Sequence, residues 1–255
     1  MKVVILCGGL GTRLREETEY RPKPMVPVGG RPILWHIMKL YAAAGHTDFV
    51  LCLGYKGEAI RDYFRNYLWN TSDVTLKLGR NPQITYHTSH AEEDWTVTLL
   101  ETGQETQTGG RLIRALPYVG DETFLFTYGD GVTDSDINAP IRFHKSHGAV
   151  ATVTAVKPRG RFGELAMDGQ TITAFREKPD QENAYISGGF MVLDPRIRNY
   201  LDEGDHCVFE RRPMERLPSG PLLLKHSAIR ERCAWRGHRD YCTHWLGMAS
   251  RRTRD

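Results

Sequence analysis

The run from Val3 to Leu6 is short, apolar and β-branched, and it empties into Gly8-Gly9-Leu10-Gly11. This is the pattern of a buried strand that ends in a glycine loop, as nucleotide-type folds begin. The pattern continues as a βα rhythm. Pro32 suits the first turn of a helix, and Ile33, Leu34, Ile37, Met38, Leu40 and Tyr41 recur at helical spacing until Gly45. Phe49 to Leu53 reads as a second buried strand, and Glu58 to Trp69 carries Ile60, Tyr63, Phe64, Tyr67 and Leu68 along one helical stripe. A helix from Arg111 to about Tyr118 leads into a strand from Phe124 to Thr127. Asp134 or Ser135 can cap the next helix, which precedes a strand from Ala149 to Val156. Between these units, Asp73 to Leu100 shows only short alternating runs and reads as a strand-rich insertion. The expected class is α/β, with a doubly wound, mostly parallel sheet.

Ligands of such sheets sit at the carboxyl ends of the strands. The glycine loop and Tyr128-Gly129-Asp130-Gly131 both fall at such ends, so they can meet although far apart in sequence. With Thr12, Arg13 and Lys23 nearby, the loop amides can surround phosphate oxygens with donors and positive charge; a plain tight turn would use the same glycines. Gly11-Thr12-Arg13 is not the Gly-Lys-Ser/Thr of a P-loop, and Leu14 stands where a dinucleotide fingerprint needs a small residue. The 34 Lys and Arg against 31 Asp and Glu leave a net charge of only +3, which argues against a nucleic-acid-coating or membrane-anchoring surface. No apolar run approaches bilayer length, and the start lacks an extended signal-type apolar region. Five scattered cysteines without a Cys-x-x-Cys pair read as free thiols, so a reducing cytoplasm is expected.

The pair of motifs Gly8-Gly9-Leu10-Gly11-Thr12-Arg13-Leu14 and Arg21-Pro22-Lys23-Pro24-Met25 resembles the signature of the sugar-1-phosphate nucleotidylyltransferase family. Further segments extend the likeness, among them Gly29-Gly30-Arg31-Pro32, Gly54-Tyr55-Lys56-Gly57, Thr108-Gly109-Gly110-Arg111-Leu112, Glu177-Lys178-Pro179 and Ser187-Gly188-Gly189-Phe190. Together they are similar to the cytidylyltransferases of that family that act on glucose 1-phosphate. The likeness runs from Met1 to about Leu217.

What the resemblance implies is transfer of a cytidylyl group from CTP to α-D-glucose 1-phosphate, giving CDP-glucose and diphosphate without a covalent enzyme intermediate. Arg13 and Lys23 would be catalytic, and Asp130 would bind Mg²⁺. Leu6, Gly8, Gly9, Leu10, Gly11, Thr12, Arg13, Lys23, Thr106, Arg111 and Thr127 would hold the nucleotide, while Glu177, Lys178, Gly188 and Gly189 would face the sugar phosphate. A homo-oligomer is implied in the same way. An in-line attack between two anions asks for charge neutralisation and alignment, which agrees with this inventory of residues. After Leu217 the sequence departs from the family pattern, lacking the Gly-Phe-Trp and Asp-Thr segments that would bring a second metal carboxylate. Residues 218–255 read instead as a separate, divergent basic segment. Two alternatives stay open: a paralogue that binds nucleotide with impaired turnover, and a sister enzyme using UTP or dTTP.

Overall fold

A computed structural model describes residues 1–9, 20–87, 94–156 and 186–217, and the backbone of strands 164–168, 171–176 and 223–224. The opening apolar run forms β1 (Lys2–Leu6), buried from Val3 to Leu6. Two short strands, β2 (Pro27–Val28) and β3 (Arg31–Pro32), precede helix α1 (Ile33–Ala43), which leads to β4 (Asp48–Leu53). Helices α2 (Gly57–Arg65) and α3 (Tyr67–Thr71) follow, then a hairpin of β5 (Val74–Lys77) and β6 (Gln83–Tyr86), and then β7 (Thr96–Glu101). Next come helix α4 (Thr108–Val119), β8 (Phe124–Tyr128), α5 (Asn138–His147) and β9 (Ala151–Val156). A second hairpin, β10 (Glu164–Asp168) and β11 (Thr171–Arg176), precedes β12 (Ile186–Leu193), α6 (Arg212–Arg216) and β13 (Leu223–Leu224).

Seven strands form one sheet in the order β13-β9-β12-β8-β1-β4-β7. The pairs β1/β4, β1/β8, β4/β7 and β13/β9 are parallel, and β12 runs antiparallel to both β8 and β9. Alternate residues of the central strands feed two cores, as a pleated strand requires. Val3, Ile5, Phe49 and Leu51 pack with Leu34, Ile37, Met38 and Tyr41 of α1 on one face. Val4, Leu6, Val50 and Cys52 pack with Leu112 and Ala115 of α4 on the other. Helices thus cover both faces, and the α/β, mostly parallel architecture is realised.

Four local expectations change. The stripe from Glu58 to Trp69 is split into α2 and α3, because Asn66 leaves helical geometry (φ −97°, ψ 16°). Val97 to Leu99 belongs to the edge strand of the main sheet and not to an insertion; half-exposed edge positions alternate in polarity as hairpin strands do. Asp136, in place of Asp134 or Ser135, accepts the backbone N–H of Asn138 at the start of α5 (2.9 Å). Leu223 and Leu224 pair with Thr154 and Ala155, so the sheet takes in residues beyond 217. The rest of 218–255 lies outside the described residues.

Candidate active site

At the carboxyl edge of the sheet the chain leaves β1 through Cys7, Gly8 and Gly9, and leaves β8 through Gly129 and Asp130. The backbone N–H of Gly129 donates to the carbonyl of Leu6 (2.9 Å), which ties the two exits together. The 3₁₀ turn Lys23–Met25 lies against this junction. A Cβ on Gly129 would stand 2.8 Å from Pro24 Cγ and 2.9 Å from the Leu6 oxygen, so only glycine permits the approach. The consequence is that Lys23 Nζ comes to 3.7 Å from Asp130 Oδ2, with the side chains 24% and 43% exposed. This is a long, open ion pair: both charges remain accessible to a ligand.

Beneath the glycine loop lies a different arrangement. Arg111, on the first turns of α4, is 4% exposed, and its guanidinium is spent on protein oxygens. Nη1 donates to the Leu53 carbonyl (2.9 Å) and to Thr102 Oγ1 (2.6 Å); Nη2 donates to the carbonyls of Gly8 (2.9 Å) and Gln104 (3.1 Å). One planar fork thereby joins the ends of β1, β4 and β7. A Cβ on Gly8 would lie 2.1 Å from Arg111 Nη1, and one on Gly54 2.4 Å from the same atom. Gly8 is a glycine here to admit an arginine. Desolvation lowers the guanidinium's pKa from its ordinary value, an effect that nearby Cys52, Glu101 and Cys7 oppose.

Comparison with known proteins decides the family. Residues 2–211 match the family described as nucleotidyl transferase. The chain belongs to the nucleotidyl transferase family. It is 52% identical over 225 residues to the glucose-1-phosphate cytidylyltransferase of Salmonella typhi, covering 88% of this chain and 86% of that one. It is 43% identical over 217 residues to the probable glucose-1-phosphate cytidylyltransferase of Bacillus subtilis, covering 85% and 84%. Among solved structures, HddC from Yersinia pseudotuberculosis superposes with a TM-score of 0.62 at 24% identity, covering 88% of this chain and 89% of that one. That likeness concerns the fold.

In this nucleotidyltransferase several residues expected to touch nucleotide also make contacts within the protein. Four of the five N–H donors of Arg111 point that way, as above. Thr127 is buried, and its hydroxyl donates to the Gly189 carbonyl (2.9 Å), joining β8 to β12. Thr106 is buried with its hydroxyl over Gly103 and its methyl toward Gly110. The N–H groups of Gly109 and Gly110 both donate to the Cys207 carbonyl (2.8 and 3.2 Å), so segment 204–210 packs on the start of α4. Leu6 gives its carbonyl to Gly129 and its side chain to the core. Gly9 is exposed at this edge, as Lys23 and Asp130 are in part, while Gly8 is buried against Arg111; Gly188 and Gly189 lie on β12, with Gly189 beside Tyr128. Leu10, Gly11, Thr12, Arg13, Glu177 and Lys178 lie outside the described residues.

Thr102 and Glu210 carry polar contacts at this edge that the sequence motifs did not single out. No local pattern marks Glu210, which stands 82 residues from Tyr128. The thiols near the loop are unsuited to nucleophilic chemistry: burial drives Cys7 well above its ordinary pKa and pushes Cys52 up to about 12. Among the described residues Cys7, Cys52 and Cys207 are free and buried, and no helix is long and apolar enough to cross a membrane.

Proposed function

We propose that this enzyme transfers the cytidylyl group of CTP to α-D-glucose 1-phosphate. The observation that carries the reading is the meeting of the glycine loop, Lys23 and Asp130 at one sheet edge, with Lys23 and Asp130 exposed and 3.7 Å apart. The substrate pair is supported by the 52% identity with the Salmonella cytidylyltransferase. A phosphate oxygen of glucose 1-phosphate attacks the α-phosphorus in line; an oxygen–phosphorus bond forms, the bond to the bridging oxygen breaks, and diphosphate leaves. Lys23 neutralises charge on the α-phosphate, and Gly8 and Gly9 allow the triphosphate to approach backbone amides. Arg13, from the same motif, grips the phosphates, while Glu177, Lys178, Gly188 and Gly189 receive the sugar phosphate.

Among the described residues the carboxylate of Asp130 is met by the long contact to Lys23 and presents hard oxygens, which fits Mg²⁺ bound through one carboxylate, nucleotide oxygens and water. Among the described residues no group of three or more metal-ligating side chains is present, so the nucleotide would complete the shell. Mg²⁺ bound there supplies Lewis-acid neutralisation of the phosphates. In this reading the protein works in the cytoplasm as a homo-oligomer, with the chemistry carried by residues 1–217 and the basic segment 218–255 accessory.

The test is diphosphate release from glucose 1-phosphate and Mg²⁺ with CTP, UTP, dTTP or ATP, alongside Asp130→Ala. Turnover with CTP alone, lost in the variant and on chelation, is the expected result. Faster turnover with UTP or dTTP would reassign the nucleotide. CTP binding without turnover in folded protein would overturn the reading in favour of a binding paralogue, in keeping with the divergence after Leu217.

A further inference from the structure

Glu210 is an exposed carboxylate in the segment between β12 and α6, away from every motif above. Its two oxygens are used by two separate parts of the molecule. Oε2 accepts the hydroxyl of Thr108 (2.6 Å), the first residue of α4, and Oε1 accepts the hydroxyl of Tyr128, the last residue of β8. The Thr108 hydroxyl in turn accepts the Phe209 N–H (2.9 Å), and the Phe126 and Phe209 rings meet at 5.1 Å. Segment 205–210 is therefore fastened to the start of α4, and Glu210 extends that fastening to Tyr128.

Tyr128 is where this matters. Its ring lies on Gly189, where a Cβ would stand 3.1 Å from Cδ2 and where φ is +82°, so backbone and ring fit only with glycine between them. Its backbone leads directly into Gly129, which is bonded to Leu6, and into Asp130. Holding the phenol therefore holds both the Gly188-Gly189 backbone and the root of the Asp130 turn.

We infer that Glu210 is a positioning residue, which through Tyr128 sets the sugar-phosphate side of the site relative to the start of α4. The inference rests on the assignment of Gly188-Gly189 to glucose 1-phosphate in the proposed function. A charge argument predicts the opposite sign, which makes the two separable. Glu210 is an anion beside a site for two anions, so removing its charge should by itself tighten substrate binding. Removing its positioning should weaken the binding of glucose 1-phosphate.

The experiment compares Glu210→Gln and Tyr128→Phe with the parent protein. The first removes the charge and breaks one of the two acceptor contacts; the second leaves the charge and deletes one hydroxyl. Binding of glucose 1-phosphate is measured by calorimetry in the presence of a saturating non-transferable CTP analogue, and CTP binding is measured separately, so neither depends on turnover. Both variants are expected to lose about tenfold in glucose 1-phosphate affinity, the size of one hydrogen bond to a charged group, with CTP affinity within about twofold. The double variant should lose little more than either single one, because both break the same contact. Unchanged or tightened glucose 1-phosphate binding in both variants would overturn the inference. So would an equal loss for both ligands together with a lower melting temperature, which marks a purely structural contact. If the parent binds both ligands yet releases no diphosphate, the proposed function fails while this measurement still decides the role of Glu210.

Discussion

Arg111 and Lys23 are two cations of one sheet edge with opposite fates. Arg111 is buried at 4% exposure, and its fork is filled by three backbone carbonyls and a hydroxyl, whereas Lys23 stands 24% exposed across a 3.7 Å gap from one carboxylate. The difference teaches that charge at a candidate phosphate site does not itself indicate contact with phosphate. A guanidinium whose donors are consumed serves as a brace; an ammonium in loose contact with a carboxylate remains free to exchange that partner for a ligand.

The comparison can be broken most decisively at Lys23. Lys23→Ala is expected to lower diphosphate release about 10²- to 10³-fold, as removal of one charge-stabilising group does, while urea denaturation moves by less than about 1 kcal/mol. A large loss of stability would turn Lys23 into a second brace. Arg111→Met should show the reverse weighting. It removes four hydrogen bonds from a charged donor, to the carbonyls of Leu53, Gly8 and Gln104 and to Thr102 Oγ1, and should destabilise the fold by about 3 kcal/mol in urea denaturation. If Arg111→Met unfolds like the parent but no longer binds CTP in calorimetry, the arginine is a ligand and the contrast collapses.

A smaller effect comes from helix α5. His144, buried on α5, faces Thr152 (Nδ1 to Oγ1, 2.8 Å), His147, Asp194 and Arg196. Desolvation chiefly, then His147 and Arg196, hold its pKa below the ordinary 6.5, with Asp194 opposing. The folded protein therefore prefers neutral His144. This contribution to stability is present above pH 6.5 and is lost as pH falls through the lowered folded value. The urea midpoint should fall between pH 7 and pH 5, and the fall should shrink in His144→Gln; an equal pH dependence in that variant would exclude His144 as its source.

Much of the core was legible in the sequence. Val3 to Leu6, Phe49 to Leu53 and Phe124 to Thr127 appear as strands within a residue or so of their bounds, because continuous apolar runs between turn residues have few other ways to be buried. The convergence of the glycine loop with Asp130 followed from the rule that parallel strands point their carboxyl ends to one edge. Less legible were β7 and β12. The β7 segment alternates because its strand lies at the sheet edge, and β12 could be antiparallel because it returns after the β10–β11 hairpin, with no crossover helix needed to bring it alongside β8.

The sequence by itself thus determined the layered α/β framework, the edge at which the chemistry gathers, and the pairing of a glycine loop with Lys23. These depend on period, on local turn residues and on motifs within a few positions of one another. Only the tertiary structure decided which polar groups are available at that edge. Arg111 and Gly8 are 103 residues apart, and Glu210 and Tyr128 are 82 apart. A hydrogen bond across such separations leaves no mark in local spacing, since the same arginine or glutamate would suit an exposed site equally well until packing brings its partners within reach.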